Sequence, residues 1–233
     1  METISPFYQK QENCPLCGQV FHSTKMRTRF VKVADHESDL KPIYKQSGLN
    51  PLFYNVKVCC HCGYSFTDDF SPYFAPGVRE ELKQKISANW TPQDYGKERD
   101  AQMAINSYKL ALYSGVIKRE KHLTLAGLAL RIAWIYRDLQ NSGQEQRFLR
   151  LAAKQYEEAY SKEDLTATAM SDVKVLYLIA ELNRRTHHIE TAVFYFSKVI
   201  EKQRMANDKK IIEMAKDRWY ELREENKHSE VSA

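Results

Sequence analysis

At 233 residues, with 43% hydrophobic and 28% charged residues and few glycines or prolines, the chain has the composition of one large globular domain or two ordinary ones, which argues against bulk disorder. No apolar run approaches the length needed to span a bilayer, so no membrane partner is expected. The net charge of +5 neither demands nor excludes a nucleic-acid partner.

The chain opens with Met1-Glu2-Thr3-Ile4-Ser5-Pro6, without the basic start and apolar stretch of a secretory signal, so a cytoplasmic location is expected. Val20 to Val33 reads as a strand, because Lys25, Arg27 and Arg29 alternate with Met26, Thr28 and Phe30. Asp35 to Tyr54 reads as a loop or insertion carrying Asn50-Pro51. Short strands are expected at Asn55–Val58 and Tyr64–Phe66. The composition then changes. Phe70-Ser71-Pro72-Tyr73-Phe74-Ala75-Pro76-Gly77 is an ordered aromatic-proline connector, followed by a short helix from Val78 to about Ser87 and a turn at Trp90-Thr91-Pro92. Beyond it, apolar residues recur at helical spacing over Glu98–Tyr113, Leu123–Leu139, Gln146–Tyr160, Ser171–Arg185, Glu190–Arg204 and Asp208–Glu225. Leu123–Leu139 is apolar on nearly all sides, marking a central buried helix ended by Asn141-Ser142-Gly143. The last helix, with the narrow stripe Ile211, Ala215, Trp219 and Leu222, reads as a terminal cap.

All five cysteines lie in the first 62 residues, and an odd number in a reducing compartment points away from a disulfide framework. Cys14-Pro15-Leu16-Cys17-Gly18 and Cys59-Cys60-His61-Cys62-Gly63 are two CxxCG turns. The two-residue gap brings both sulfurs to one side of a tight turn, and the glycine permits a left-handed backbone. Together they supply four ligands, Cys14, Cys17, Cys59 and Cys62, for one structural Zn²⁺ in a closed site. The alternatives are a redox CPxC motif and unliganded core cysteines. Cys60 and His61 are expected to point away from the metal, with His61 a candidate for contact to a ligand from outside.

Lys25, Arg27, Arg29 and Lys32 form the best basic cluster, and Phe30 or His22 could stack a base. Residues 1–75 hold eight Lys/Arg against seven Asp/Glu, however, and a solvated strand face is the plainer reading. Asp35, His36, Glu37 and Asp39 suggest a second metal or an acid–base pair only weakly, since consecutive polar residues commonly make a loop. His187-His188 is expected to cap carbonyls between two helices. Phosphate-cradling glycine loops, Gly-x-Ser-x-Gly and HExxH are all missing, which lowers the expectation of an enzyme.

The helices share a pattern of small residue, aromatic four later and small or β-branched three later: Ala104/Tyr108/Ala111, Ala152/Tyr156/Ala159 and Ala192/Phe196/Val199. This resembles the tetratricopeptide repeat; a generic helical bundle is the alternative. Ala133 to Ala152 is about seven residues too long for the pattern, implying extended helices or a longer turn. The resemblance implies a concave groove lined by Trp134, Arg137 and Asp138, and by Lys174, Tyr177, Glu181, Arg184 and Arg185. Aromatics among basic groups would suit an acidic or C-terminal peptide, while an ordinary charged face is the plain alternative.

The first cysteine turn, Asn50-Pro51-Leu52-Phe53-Tyr54 and Val56-Lys57-Val58-Cys59-Cys60-His61-Cys62-Gly63-Tyr64 together resemble the bacterial domain-of-unknown-function family 2225, with Cys60 standing where proline is expected. The resemblance implies a bacterial cytosolic protein and transfers no catalytic residues. The expected architecture is mainly α: a zinc-ribbon-like β module over 1–75, a connector with a short helix over 76–97, and a tetratricopeptide-like helical domain over 98–226 with a C-terminal capping helix. The expected function is a non-enzymatic, zinc-stabilised adaptor holding an unidentified protein or peptide in its groove. A nucleic-acid-binding regulator using the basic strand is the first alternative, and a thiol switch or uncharacterised enzyme the second.

Overall fold

The computed structural model describes residues 4–45, 48–166, 168, 170–204 and 208–231. The N-terminal part is built from three small antiparallel pairs: β1 (Phe7–Asn13) with β2 (Val20–Met26), β3 (Val33–His36) with β4 (Pro42–Tyr44), and β5 (Lys57–Val58) with β6 (Ser65–Phe66). The long strand expected over 20–33 stops at Met26. Its partner β1 begins at Phe7, and the last rung is Arg27 N–H to the Pro6 carbonyl; proline has no N–H to return. A 3₁₀ turn at Thr28–Phe30 follows, and the stretch read as an insertion contains the β3–β4 hairpin.

Among the described residues seven α-helices follow: α1 (Val78–Lys85), α2 (Ala101–Lys118), α3 (His122–Asp138), α4 (Ser142–Lys162), α5 (Asp172–Arg185), α6 (Ile189–Glu201) and α7 (Lys209–Val231). Side-chain oxygens cap three of them, Asp100 at Met103 N, Asn141 at Gln144 N and Ser171 at Lys174 N, each satisfying an amide that the helix leaves open. Each helix from α2 onward packs on the next, and α7 closes the stack against α6 and α5 through Ile211, Ala215 and Leu222.

The positions of the small–aromatic–small pattern are all buried: Ala104, Tyr108 and Ala111; Ala152, Tyr156 and Ala159; Ala192, Phe196 and Val199. The α3–α4 and α5–α6 turns are alike. Gln140 and His187 each take left-handed φ (55° and 65°), and the following amides, Asn141 and His188, reach back to the carbonyls of Tyr136 and Asn183. The His187-His188 backbone therefore does the capping. Gly143, read as part of a helix stop, lies inside α4. The excess length between Ala133 and Ala152 is helix, since α4 has 21 residues against 13 in α6.

The ribbons and helices share their cores. Leu52, Val56 and Val58 pack with α2, α3 and α4, while Ile117 of α2 packs beside the cysteines. Tyr108, fully buried, donates to the Leu52 carbonyl at 2.7 Å. Arg99 is buried with no carboxylate partner among the described residues and spends its N–H groups on the carbonyls of Tyr95, Phe53 and Val56 and on Ser107 Oγ. Burial pushes its pKa down to about 10. Among the described residues no helix is long and apolar enough to cross a membrane.

Candidate metal centre

Each cysteine turn sits at the tip of a β-hairpin, and the two are built alike. In the first, Cys14 N–H donates to Gln19 O and Gly18 N–H to Cys14 O, both at 2.9 Å. In the second, Cys59 N–H donates to Tyr64 O at 3.0 Å and Gly63 N–H to Cys59 O at 2.9 Å. Gly18 and Gly63 have φ of +76° and +73°, a region closed to most side chains. The turns place the amides of Leu16 and Cys17 on the Cys14 sulfur, and those of His61 and Cys62 on the Cys59 sulfur. These N–H groups favour the thiolate, which is the metal-binding form.

The four ligand atoms of Cys14, Cys17, Cys59 and Cys62 lie within 4.8 Å of one another, with Cys14–Cys62 and Cys17–Cys59 separations of 3.6 and 3.7 Å. A disulfide would bring two sulfurs to about 2.05 Å. A tetrahedron with metal–sulfur bonds of about 2.3 Å has edges of about 3.8 Å, so the cluster has the size of a four-thiolate site. Cys14, Cys59 and Cys62 are buried and Cys17 is half-buried. Sulfurs this close cannot all ionise unaided. Thiol hydrogen bonds from Cys14 and Cys62 push Cys59 down, while Cys14 is pushed up by bonding to Cys59, and Cys62 by bonding to Cys14 and Cys59. A divalent cation can take the place of those protons.

Two side chains that the sequence did not single out brace the turns. Trp90 lies over the second turn: its Nε1 donates to Cys60 O at 2.8 Å, and a Cβ built on Gly63 would sit 2.5 Å from its ring. The turn that lacks proline is thus held by an indole. Arg79 of α1 donates to Pro15 O at 2.7 Å and stacks 4.1 Å from the Phe74 ring centre, covering the first turn. His61 does not turn to the sulfurs. Its Nε2 lies 3.0 Å from Val20 O, and since a carbonyl only accepts, the imidazole donates and ties the second turn to β2. Cys60 lies outside the cluster.

The expected peptide groove is filled by the chain's own β3–β4 hairpin. Asp39, fully buried, accepts from Trp134 Nε1 at 3.0 Å and from both terminal nitrogens of Arg137 at 3.2 and 2.6 Å. Glu37 pairs with Arg137, and Lys41 with Asp138. Tyr177 OH donates to Ser38 O at 2.7 Å; Ser38 Oγ donates to Glu181 at 2.6 Å and accepts from Arg185 at 2.8 Å. Glu181, also fully buried, is held by Arg184 and Arg185. Burial alone would raise Asp39 and Glu181, but the facing arginines outweigh it and both sit below the usual carboxylate range. Trp134, Arg137, Asp138, Tyr177, Glu181 and Arg185 therefore pin the ribbon to the helices, and Arg184 locks Glu181. Lys174 stands apart, 3.7 Å from Asp208. Glu37 and Asp39, considered above for acid–base chemistry, are two anchors of this contact, while Asp35 and His36 lie exposed on β3.

The basic cluster does not form one strand face. Lys25 pairs with Asp68, Arg27 lies beyond the end of β2, Arg29 is in the 3₁₀ turn and Lys32 is exposed before β3. His22 lies toward the second cysteine turn, in the groove lined by Cys60, His61 and Asp94.

The model of a family described as an uncharacterized protein conserved in bacteria (DUF2225) matches residues 7–222, nearly the whole chain. The chain belongs to this family. No curated protein and no solved structure matches it. The match spans both cysteine turns, the β3–β4 hairpin and all helices up to α7, so the DUF2225 region includes the ribbon, the groove and the contact between them.

Proposed function

We propose that Cys14, Cys17, Cys59 and Cys62 hold one structural zinc ion and that the chain is a non-enzymatic binding scaffold, with tetratricopeptide-like helix pairs carrying the ribbon. The observation that carries this reading is the cluster itself: four sulfurs at tetrahedral spacing, three of them buried, at the tips of two matched hairpins. Four protein ligands fill a zinc ion's coordination, leaving no position for water or substrate. Zinc fits better than calcium or magnesium because soft thiolates select soft or borderline ions. Its bonds join two ribbons of seven-residue and two-residue strands, which bury little by themselves. The same spacing also suits iron, which metal analysis distinguishes.

The seated hairpin alters the expected adaptor mechanism. A protein partner using the helical groove would first have to displace residues 37–41 and their ion pairs. The scaffold is thus one in which the groove joins the two parts and contacts with a partner fall on other surfaces. Mass-mapped thiol alkylation of the metal-loaded chain tests the non-enzymatic reading. The four ligands should stay unlabelled until a chelator is added, while half-buried Cys60 labels slowly. A rapidly alkylated ligand cysteine in the loaded protein would favour a thiol switch instead.

A further inference from the structure

We propose that the open end of the β1–β2 ribbon binds single-stranded nucleic acid. A groove of ≈ 570 Å³ there is lined by Ile4, Tyr8, Met26, Arg27, Thr28 and Arg29, with no carboxylate among the described lining residues. Two cations, a hydroxyl and three apolar walls match the two parts of a nucleotide: arginines and Thr28 toward phosphate, Tyr8, Met26 and Ile4 toward a base.

The arginines are held ready. The Arg27 guanidinium lies 5.2 Å from the Tyr8 ring centre, and its Nε donates to Ser5 O at 3.1 Å. Arg29 lies 5.0 Å from the Phe30 ring centre. Neither has a carboxylate partner among the described residues, and both are exposed. The rest of the ribbon differs: Lys10, Lys25 and Lys57 are paired with Glu12 and Asp68. At the adjoining hairpin base, Lys45 N–H donates to Lys32 O at 2.8 Å, setting two more exposed lysines on neighbouring segments. Like charges side by side destabilise unless an anion joins them. Asp35, exposed on β3 beyond Lys32, accepts at its Oδ1 from His36 N–H. Tyr8 keeps 40% of its surface open despite the arginine above it. An exposed ring beside unpaired arginines favours bases over an acidic peptide, and a base reaches a surface ring only when it is unstacked from a duplex.

Fluorescence anisotropy of the metal-loaded full chain with labelled single-stranded DNA and RNA oligonucleotides of about 12 nucleotides tests this. Binding with Kd in the range of about 10⁻⁴ to 10⁻⁶ M is expected, with a log–log salt slope near about −3 if Arg27, Arg29, Lys32 and Lys45 all engage phosphates. The double substitution Arg27→Glu, Arg29→Glu should weaken binding more than about tenfold, and Tyr8→Ala by about tenfold, with metal content and melting unchanged. Lys10→Gln, in the neutralised half, should leave affinity within about twofold. Absence of binding, binding indifferent to the arginine reversal, or a response to a polyglutamate peptide with none to oligonucleotides would overturn the proposal. Metal content measured on the same samples separates its failure from failure of the zinc reading.

Discussion

Replacing Asp39 by alanine should be among the costliest single changes outside the cysteines. The carboxylate is fully buried and receives four hydrogen bonds, from Trp134, from two nitrogens of Arg137 and, at 3.4 Å, from the Lys41 backbone N–H. Removing it leaves the indole N–H without an acceptor and a mostly buried guanidinium facing Glu37 and Glu145 alone. Breaking a buried pair costs about 3–5 kcal/mol. Because Arg137 retains two carboxylates, the lower end, about 3 kcal/mol, is expected. Asp138→Ala is the matched control: it removes one of the two carboxylates on Lys41, Glu37 being the other, but its side chain is 44% exposed, and the expected loss is under about 1 kcal/mol. Urea unfolding of the metal-loaded chain followed by far-ultraviolet circular dichroism gives both values. Limited trypsin digestion adds a local readout, since cleavage after Lys45 should accelerate in Asp39→Ala, whereas Lys41 is protected by the following Pro42. Equal stability losses in the two variants, or an Asp39→Ala loss below about 1 kcal/mol with unchanged digestion, would refute the idea that this hairpin clamps the ribbon onto the helices.

The same carboxylates set a pH dependence. Asp39 and Glu181 have folded-state pKa values below the unfolded ones, so their stabilisation is complete above about pH 5 and is lost as pH falls through the folded values. Urea midpoints measured between pH 7 and pH 3 should fall on acidification, and Asp39→Asn should flatten that fall. Gly63→Ala should destabilise more than Gly18→Ala, because both need left-handed backbone but only the Gly63 methyl meets Trp90. The backbone cost is about 1–2 kcal/mol in each, and thermal melting of the pair isolates the added clash. Cys59→Ser should abolish metal binding and ribbon structure while far-ultraviolet dichroism retains most of its helical signal. Loss of the helical signal as well would mean that the shared core cannot stand without the ribbon.

The clustering of Cys14, Cys17, Cys59 and Cys62 is legible in the sequence because CxxCG turns are local: spacing, glycine and hairpin tip all lie within six residues. The helices were legible for a related reason, since burial of Ala104, Tyr108, Ala152, Tyr156 and Phe196 writes a 3.6-residue period into the chain. β1 left no such mark, as Phe7–Asn13 is a largely exposed ribbon strand whose last five residues, Gln9 to Asn13, are all polar. The role of the groove was hidden by distance. Ser38 and Tyr177 are 139 positions apart, and nothing local distinguishes a glutamate like Glu181 on an open groove from one buried under a hairpin. Trp134, Arg137, Tyr177, Glu181 and Arg185 share a helical face that the repeat pattern marks, while the hairpin seated on it lies in the stretch that reads as an insertion. Trp90 was visible only as part of a turn; its contact with Gly63 depends on packing across 27 residues of chain.

As a closed zinc site, the cysteine cluster would hold the ribbon together. Inductively coupled plasma mass spectrometry on protein purified without added metal tests it most directly. One zinc per chain is expected, falling to none in Cys59→Ser and unchanged in Cys60→Ser. No bound metal, two ions per chain, or iron in place of zinc would contradict it.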